Sequence, residues 1–348
     1  MTEAPPPAIV AQAQAFPAIS PDVDLALRKR LGKVPGSVIV IGRRIGSRAE
    51  VQVIFARGGP RVAAKTRFEI GSITEAITGT LLADAVRRGE LRLDEGIDER
   101  ARPPLHPPVP NGKHITFRDL ATHHSGLPRL PLHEAVQPYA PYDRAALIEL
   151  VNAARPTADP GTRYEPSNVD FALLGMLLAD RTGTPYAELV RNRVFVPLDM
   201  PDTTADSTAD DQIIPERAIS GTPVAPWRWN AFAPEGGVRS TAADLLNFAG
   251  TLFQHENGPL AQDARLASTP TAGAGPNTGI GLGWMVDRAS GAVWASGSSY
   301  GSIAFLGAVP SRDEAVVVLS NVGLGFADMT LDDLGLKLLS NEMHDTHG

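Results

Sequence analysis

The sequence predicts an α+β fold: an antiparallel sheet built from both chain ends, flanked by helices, with a mainly helical middle. Three observations predict it. β-rich stretches lie before residue 71 and again after residue 280. Between residues 115 and 201 apolar residues recur instead at helical spacing, with glycines and prolines breaking the helices apart. The chain has 348 residues, 43% of them apolar, enough for one large core or two packed units.

Taken in order, Met1 to Ser20 is rich in Ala and Pro, without a basic start or an unbroken apolar run, and reads as a flexible leader. Asp22 to Leu31 has helical spacing. Gly36 to Ile45 and Val51 to Ala56 read as a hairpin, and Arg67 to Ile70 as a third strand. A helix starts near Ser72 and ends near Gly89, where Arg87 and Arg88 suit the negative end of its dipole. Arg102 to Pro110 is a proline-rich loop. Helices follow over Phe117 to His123, Asp143 to Ala153, Phe171 to Thr182 and Tyr186 to Val196. Asp202 to Gly236 is irregular, and Ser240 caps a helix that runs through Leu252. Gly281 to Asp287, Ala292 to Ala295, Ile303 to Val309 and Ala315 to Ser320 read as consecutive antiparallel strands, closed by an amphipathic helix from Asp328 to Met343. The expected division is a leader over 1–20, a sheet unit from 21–71 and 236–348, and a mainly helical unit over 72–235. A cleft is expected between the last two.

Composition removes several classes of function. Formal charge is −7, from 32 basic and 39 acidic residues, with no basic run, which speaks against a nucleic-acid partner. No apolar stretch approaches the ~18 residues needed to span a bilayer, so no membrane partner is expected. Cysteine is absent, which removes disulfides and thiolate metal sites. A cytoplasmic protein with a small-molecule substrate is expected, with no metal and no cofactor.

The stretch Phe68-Glu69-Ile70-Gly71-Ser72-Ile73-Thr74-Glu75 carries the chemistry. From Ile73 the apolar residues recur at helical spacing, so one face of this helix is expected to be buried. Ser72 and Glu75 lie one helical turn apart on the same side. That spacing suits a nucleophile with a carboxylate partner. It equally suits a capping box, in which the hydroxyl takes the Glu75 N–H and the carboxylate takes that of Ser72.

Several strings resemble the serine β-lactamase and penicillin-binding-protein superfamily, nearest its class C β-lactamase and family VIII esterase branch. Phe68 to Ser72 is similar to the strand leading into that family's Ser-x-x-Lys nucleophile. Ile115-Thr116-Phe117-Arg118-Asp119-Leu120-Ala121-Thr122-His123-His124-Ser125-Gly126-Leu127-Pro128 resembles its "ITxRxLLTHTSGLP" stretch. Pro160-Gly161-Thr162-Arg163-Tyr164, with Ser167-Asn168 and Leu173-Leu174-Gly175, resembles "PGxxFxYSNxxYxLLG". Gly236 to Leu245 and Gly281 to Trp284 match later strings. The resemblance covers roughly residues 21 to 342 and implies a β-lactamase/transpeptidase-like fold.

It also marks three departures. The family's lysine position is Glu75, its tyrosine position is Pro166, and the basic residue of its third motif is Ala295. Proline and alanine carry no side-chain proton. By the resemblance, what survives is Ser72, Asn168, and the backbone N–H groups of Ser72 and Ser298 as an oxyanion hole. Ser296 falls beside them in the third motif.

Candidate catalytic residues are therefore Ser72 and Glu75. Candidate substrate-binding residues are Asn168, Ser296, Ser298, and the loop aromatics Tyr139, Tyr142, Trp227 and Trp229, which rim the cleft in the family. Burial would raise Glu75 toward a useful base. Gly297-Ser298-Ser299-Tyr300-Gly301 fits the G-x-S-x-G pattern, but a strand rather than a helix is expected after it, against a nucleophile elbow. His123 and His124 are adjacent and point apart; they, His114 and His133 read as structural. Three functions stay open. One is acyl transfer or hydrolysis of a neutral, partly apolar ester, lactone or amide through Ser72, with Glu75 as base. The second is an isomerase, cyclase or lyase that uses Glu75. The third is an inactive binding protein. β-Lactamase activity itself is not expected.

Overall fold

The computed structural model describes residues 33–339, except 57, 98–104, 108–109, 130–136, 207–211, 254 and 324–330. The expected leader, the expected helix over Asp22 to Leu31, and His133 lie outside the described residues.

The chain ends meet in one sheet. β1 (Val38–Ile45) and β2 (Arg48–Phe55) form the expected hairpin, turning at Gly46 with φ 57°. β3 (Phe68–Glu69), β4 (Glu216–Arg217), β5 (Pro223–Val224) and β6 (Arg239–Ser240) are short. β7 (Ala272–Gly273), β8 (Thr278–Ile280), β9 (Met285–Asp287), β10 (Val293–Ser298), β11 (Ile303–Val309) and β12 (Glu314–Ser320) follow. Among the described residues the main sheet has eight strands, in the order β2-β1-β12-β11-β10-β9-β8-β7. The antiparallel pairing of β1 with β12, Ile41 opposite Val318, joins the N- and C-terminal segments.

β1 reads Val-Ile-Val-Ile without polar alternation because both faces of the sheet are covered. Val38, Val40, Ala304, Leu306, Val317 and Leu319 point into the large core shared with the central helices. Ile39, Ile41, Phe305, Val316 and Val318 point the other way, toward Leu334, Leu338 and Leu339 of the C-terminal helix.

The helices are α1 (Ile73–Arg87), α2 (Phe117–Ala121), α3 (Arg144–Asn152), α4 (Asn168–Thr182), α5 (Tyr186–Val190, continued by a π turn over Arg191–Phe195), α6 (Ala233–Gly236), α7 (Ala242–Gly250), α8 (Pro259–Ser268) and α9 (Leu331–Leu339). Four expectations need correction. α1 is buried on nearly every side rather than on one face, so Thr74, Thr78 and Asp84 are enclosed with its apolar residues. β3 does not join the main sheet; it pairs with β6, Phe68 opposite Ser240. The cap of α7 is Thr241, whose hydroxyl accepts the Asp244 N–H, while Ser240 belongs to β6. α6 and α8 lie where no helix was expected. Each opens with or carries a proline in its first turn, where the missing N–H costs nothing.

The Gly297–Gly301 stretch is the end of β10 and its turn into β11, with the Ser299 N–H donating to the Ser302 carbonyl. No helix follows it, so it is not a nucleophile elbow.

Candidate active site

Ser72 stands where β3 runs into α1. Gly71 before it has φ 51°, and a Cβ there would lie 2.5 Å from the Ser298 nitrogen. A Cβ on Gly297 would lie 2.1 Å from the Ile70 oxygen and 2.4 Å from the Ser72 nitrogen. Both glycines are thus required for β10 to pass against the start of α1. The contact brings the backbones of Ser72 and Ser298 to one junction.

The capping box does not form. Ser72 has φ −65° and ψ 0°, outside the extended region a capping residue needs, and its side chain caps nothing. The Glu75 N–H donates instead to the Ser72 carbonyl, at 3.0 Å. The Ser72 hydroxyl is turned away and donates to Glu235 Oε1, at 2.9 Å. Asn168 Nδ2 donates to the same oxygen at 2.8 Å and to the Tyr139 hydroxyl at 3.0 Å. Glu235 is 2% exposed. Burial, and next the charge of Glu75, push its carboxyl up to about 8, against the hydrogen bonds from Asn168 and Ser72.

Glu75 has a different partner. Its Oε2 lies 3.2 Å from His123 Nε2, and His123 Nδ1 lies 3.3 Å from Asp170 Oδ2. The Ser167 N–H also reaches Nδ1, at 3.2 Å; with the ring charged, the Nδ1 proton goes to Asp170. The Ser125 hydroxyl donates to the other Asp170 oxygen. Burial works against a charge on His123, but the attraction of Glu75 and the hydrogen bonds to Asp170 and Glu75 outweigh it, raising the imidazole to about 10. Burial raises Asp170 to about 6, against the hydrogen bond and charge of His123.

Ser72, Glu75, His123 and Asn168 border a cleft of about 260 Å³, with Glu235 and Asp170 buried behind them. Ser72, Glu75, His123, Arg129, Asn168 and Ser296 supply much of its polar lining, joined by Tyr164 and Ser167, and Pro166, Ile280, Met285, Trp294 and Ala295 much of the rest. Of the residues expected at the site, Ser72, Glu75, Asn168 and Ser296 meet there. Ser298 sits half-buried at the end of β10, with its backbone against Gly71. Pro166 and Ala295 line the cleft and bring no titratable group.

The aromatics do not rim it. Tyr139 and Trp229 are 0% and 1% exposed, and Tyr139 stacks on Trp229 at 4.8 Å and on Phe232 at 4.6 Å between ring centres. Trp227 and Tyr142 pack edge-on against the same stack. All four form the bed beneath α6, and none lines the cleft. They lie in irregular segments because burial here is set by partners distant in sequence, not by a local period.

Sequence reasoning missed Glu235, Asp170 and Arg129 and took His123 as structural. The available signal for Glu235 was an acidic residue in an apolar setting, Phe232-Ala233-Pro234-Glu235-Gly236, at the edge of a recognisable string. Glu75 is not an isolated negative charge but is offset by His123, and Arg129 stands exposed at the rim.

Comparison with known proteins agrees with this architecture. The chain is similar to the D-alanyl-D-alanine-carboxypeptidase/endopeptidase AmpH of Escherichia coli K12, with 28% identity over 300 residues that cover 78% of this chain and 76% of that protein. It is similar in structure to a β-lactamase/D-alanine carboxypeptidase from Pseudomonas syringae, with a TM-score of 0.75 and 20% identity, over 94% of this chain and 98% of the other. A class C β-lactamase from Rhodobacter sphaeroides superposes with a TM-score of 0.73 and 24% identity, over 88% and 95% of the two chains. The beta-lactamase family model matches residues 28–339, from before the first strand to the end of α9, and the chain belongs to the beta-lactamase family.

Proposed function

We propose that this protein is a serine acyl-transfer enzyme or hydrolase in which Ser72 is the nucleophile and Glu235, not Glu75, is its base. The observation that carries the reading is the 2.9 Å hydrogen bond from the Ser72 hydroxyl to Glu235. A carboxylate near its ordinary value is a weak base toward a serine hydroxyl; one raised to about 8 is matched to the task near neutral pH. Asn168 holds the carboxylate in place through Oε1. Its own Oδ1 is buried without a partner among the described residues, and serves as an acceptor for a substrate N–H or O–H. The backbone N–H groups of Ser72 and Ser298 are the donors for the developing oxyanion. Near the reacting carbon, Glu75 and His123 cancel in charge and Glu235 is mostly neutral at pH 7, so the inner cleft suits a neutral, partly apolar ester, lactone or amide.

A fluorophosphonate tests this directly. Ser72 should be labelled, as read by peptide mass. Ser72→Ala should not react, and Glu235→Gln should react about 10²–10⁴-fold more slowly. Labelling elsewhere, or undiminished labelling of Glu235→Gln, would count against the assignment.

A further inference from the structure

We infer that Glu75, backed by His123 and Asp170, is a second proton-transfer device of this cleft, which protonates the leaving group and so lets the enzyme act on alkyl esters, lactones and amides whose leaving groups are strongly basic. The inference rests on Ser72 being the nucleophile. Three observations carry it. Glu75 and His123 both line the cleft together with Ser72, yet Glu75 makes no side-chain hydrogen bond to Ser72; its bond is to His123 Nε2. Asp170, fully buried, lies 3.3 Å from Nδ1, so the charged ring gives one proton to Asp170 and the other, on Nε2, to Glu75, the carboxylate that faces the cleft. His123 has φ 56°, a left-handed conformation uncommon for a residue with a Cβ, and it aims the ring at Glu75.

The steps balance as follows. In acylation the Ser72 oxygen bonds to the acyl carbon and its proton passes to Glu235. The bond from that carbon to the leaving oxygen or nitrogen breaks, and the leaving atom takes the proton that the Glu75–His123 pair held. Glu75 is left ionised and His123 neutral. In deacylation a water oxygen bonds to the acyl carbon, and the water proton returns through Glu75 to His123. The Ser72–acyl bond breaks, and Ser72 recovers its proton from Glu235. Glu75 is the catalytic residue here; His123 and Asp170 position it and hold the proton.

The experiment compares acylation rates for a p-nitrophenyl ester, whose phenolate departs unaided, with those for the ethyl ester of the same acid. In Glu75→Gln both should slow, the ethyl ester by a further factor of about 10²–10⁴. Asp170→Asn should shift the same ratio in the same direction. In the unmodified enzyme, rates across a series of esters should depend only shallowly on leaving-group basicity, a measurement that needs no variant to fold. Equal slowing of both esters, or a steep dependence in the unmodified enzyme, would overturn the inference. Loss of Ser72 dependence for the p-nitrophenyl ester would instead overturn the nucleophile assignment on which it stands.

Discussion

Glu235 keeps its proton in the folded protein up to about pH 8, whereas the ordinary value is 4.5. Between those values the folded state binds more protons than the unfolded one, so this residue's contribution to stability falls as pH rises, by at most about 1.4 kcal/mol per pH unit. Glu235→Gln has no such loss. It should be nearly inactive, yet its advantage in melting temperature over the parent should grow from pH 5 to pH 8; melting curves at the two pH values check this. His123 has the same sign. It is faced by Glu75, Asp170, the Ser167 N–H and the ring edges of Tyr164 and Phe171. Its pKa is raised to about 10, so its pairing stabilises the fold fully below 6.5 and is lost as pH rises through 10. With Glu235 as base and the Glu75–His123 pair as acid, kcat/KM should climb through about pH 8 and decline above about 10. A profile that is flat from pH 6 to 9 would contradict the base assignment.

At the scale of elements, α6 is a single turn whose position decides whether Glu235 reaches Ser72. Three neighbours fix it. The Thr78 hydroxyl of α1 donates to the Pro234 carbonyl at 2.8 Å, and it also meets the Tyr186 hydroxyl at 2.7 Å. Gly236 lies against Trp229, where a Cβ would come within 2.3 Å of the ring. Gly175 of α4 lies against Pro234, where a Cβ would come within 2.1 Å of the proline Cβ. The substitution Gly175→Ala therefore forces α4 and α6 apart without touching the cleft. Its overpacking should cost about 1–3 kcal/mol, seen as a lower denaturation midpoint. It should also lower kcat, because a carboxylate displaced by about 1 Å loses its hydrogen bond to Ser72. A destabilised variant with full turnover would show that α6 tolerates movement.

At the scale of the molecule, the fold is that of its family, and the groups proposed to move protons are Glu235, Glu75 and His123. Pro166 and Ala295 border the cleft without a titratable side chain, and Glu75 stands there paired with His123. Glu235 on α6 lies buried behind Ser72 and Asn168, and His123 lines the cleft beside Glu75. Turnover of nitrocefin should thus stay below about 1 s⁻¹, under the ordinary range for an enzyme on its own substrate. Spectrophotometric assay at saturating nitrocefin decides it. Among the described residues, no helix is long and apolar enough to cross a membrane.

Local periodicity was sufficient for the strands β1, β2, β11 and β12 and for helices α1, α3 and α4, because the alternation of side chains and the helical repeat are properties of neighbouring residues. It also placed Ser72 at the strand-to-helix junction, whereas the family resemblance, not periodicity, marked Pro166 and Ala295 as site positions without a titratable side chain. Only the tertiary structure decided what Ser72 and Glu75 bond to. One-turn spacing puts the two residues on the same side of a helix, but the backbone angles at Ser72 turn its hydroxyl away from the first turn. Its partner, Glu235, is 163 residues distant in sequence, and the partner of Glu75, His123, is 48 residues distant. A hydrogen bond needs about 3 Å and a favourable angle, and those are set by how α1, α4 and α6 pack. The same packing took Tyr139 and Trp229 from an expected rim into the bed under α6, since burial belongs to the assembled molecule and not to any segment of it.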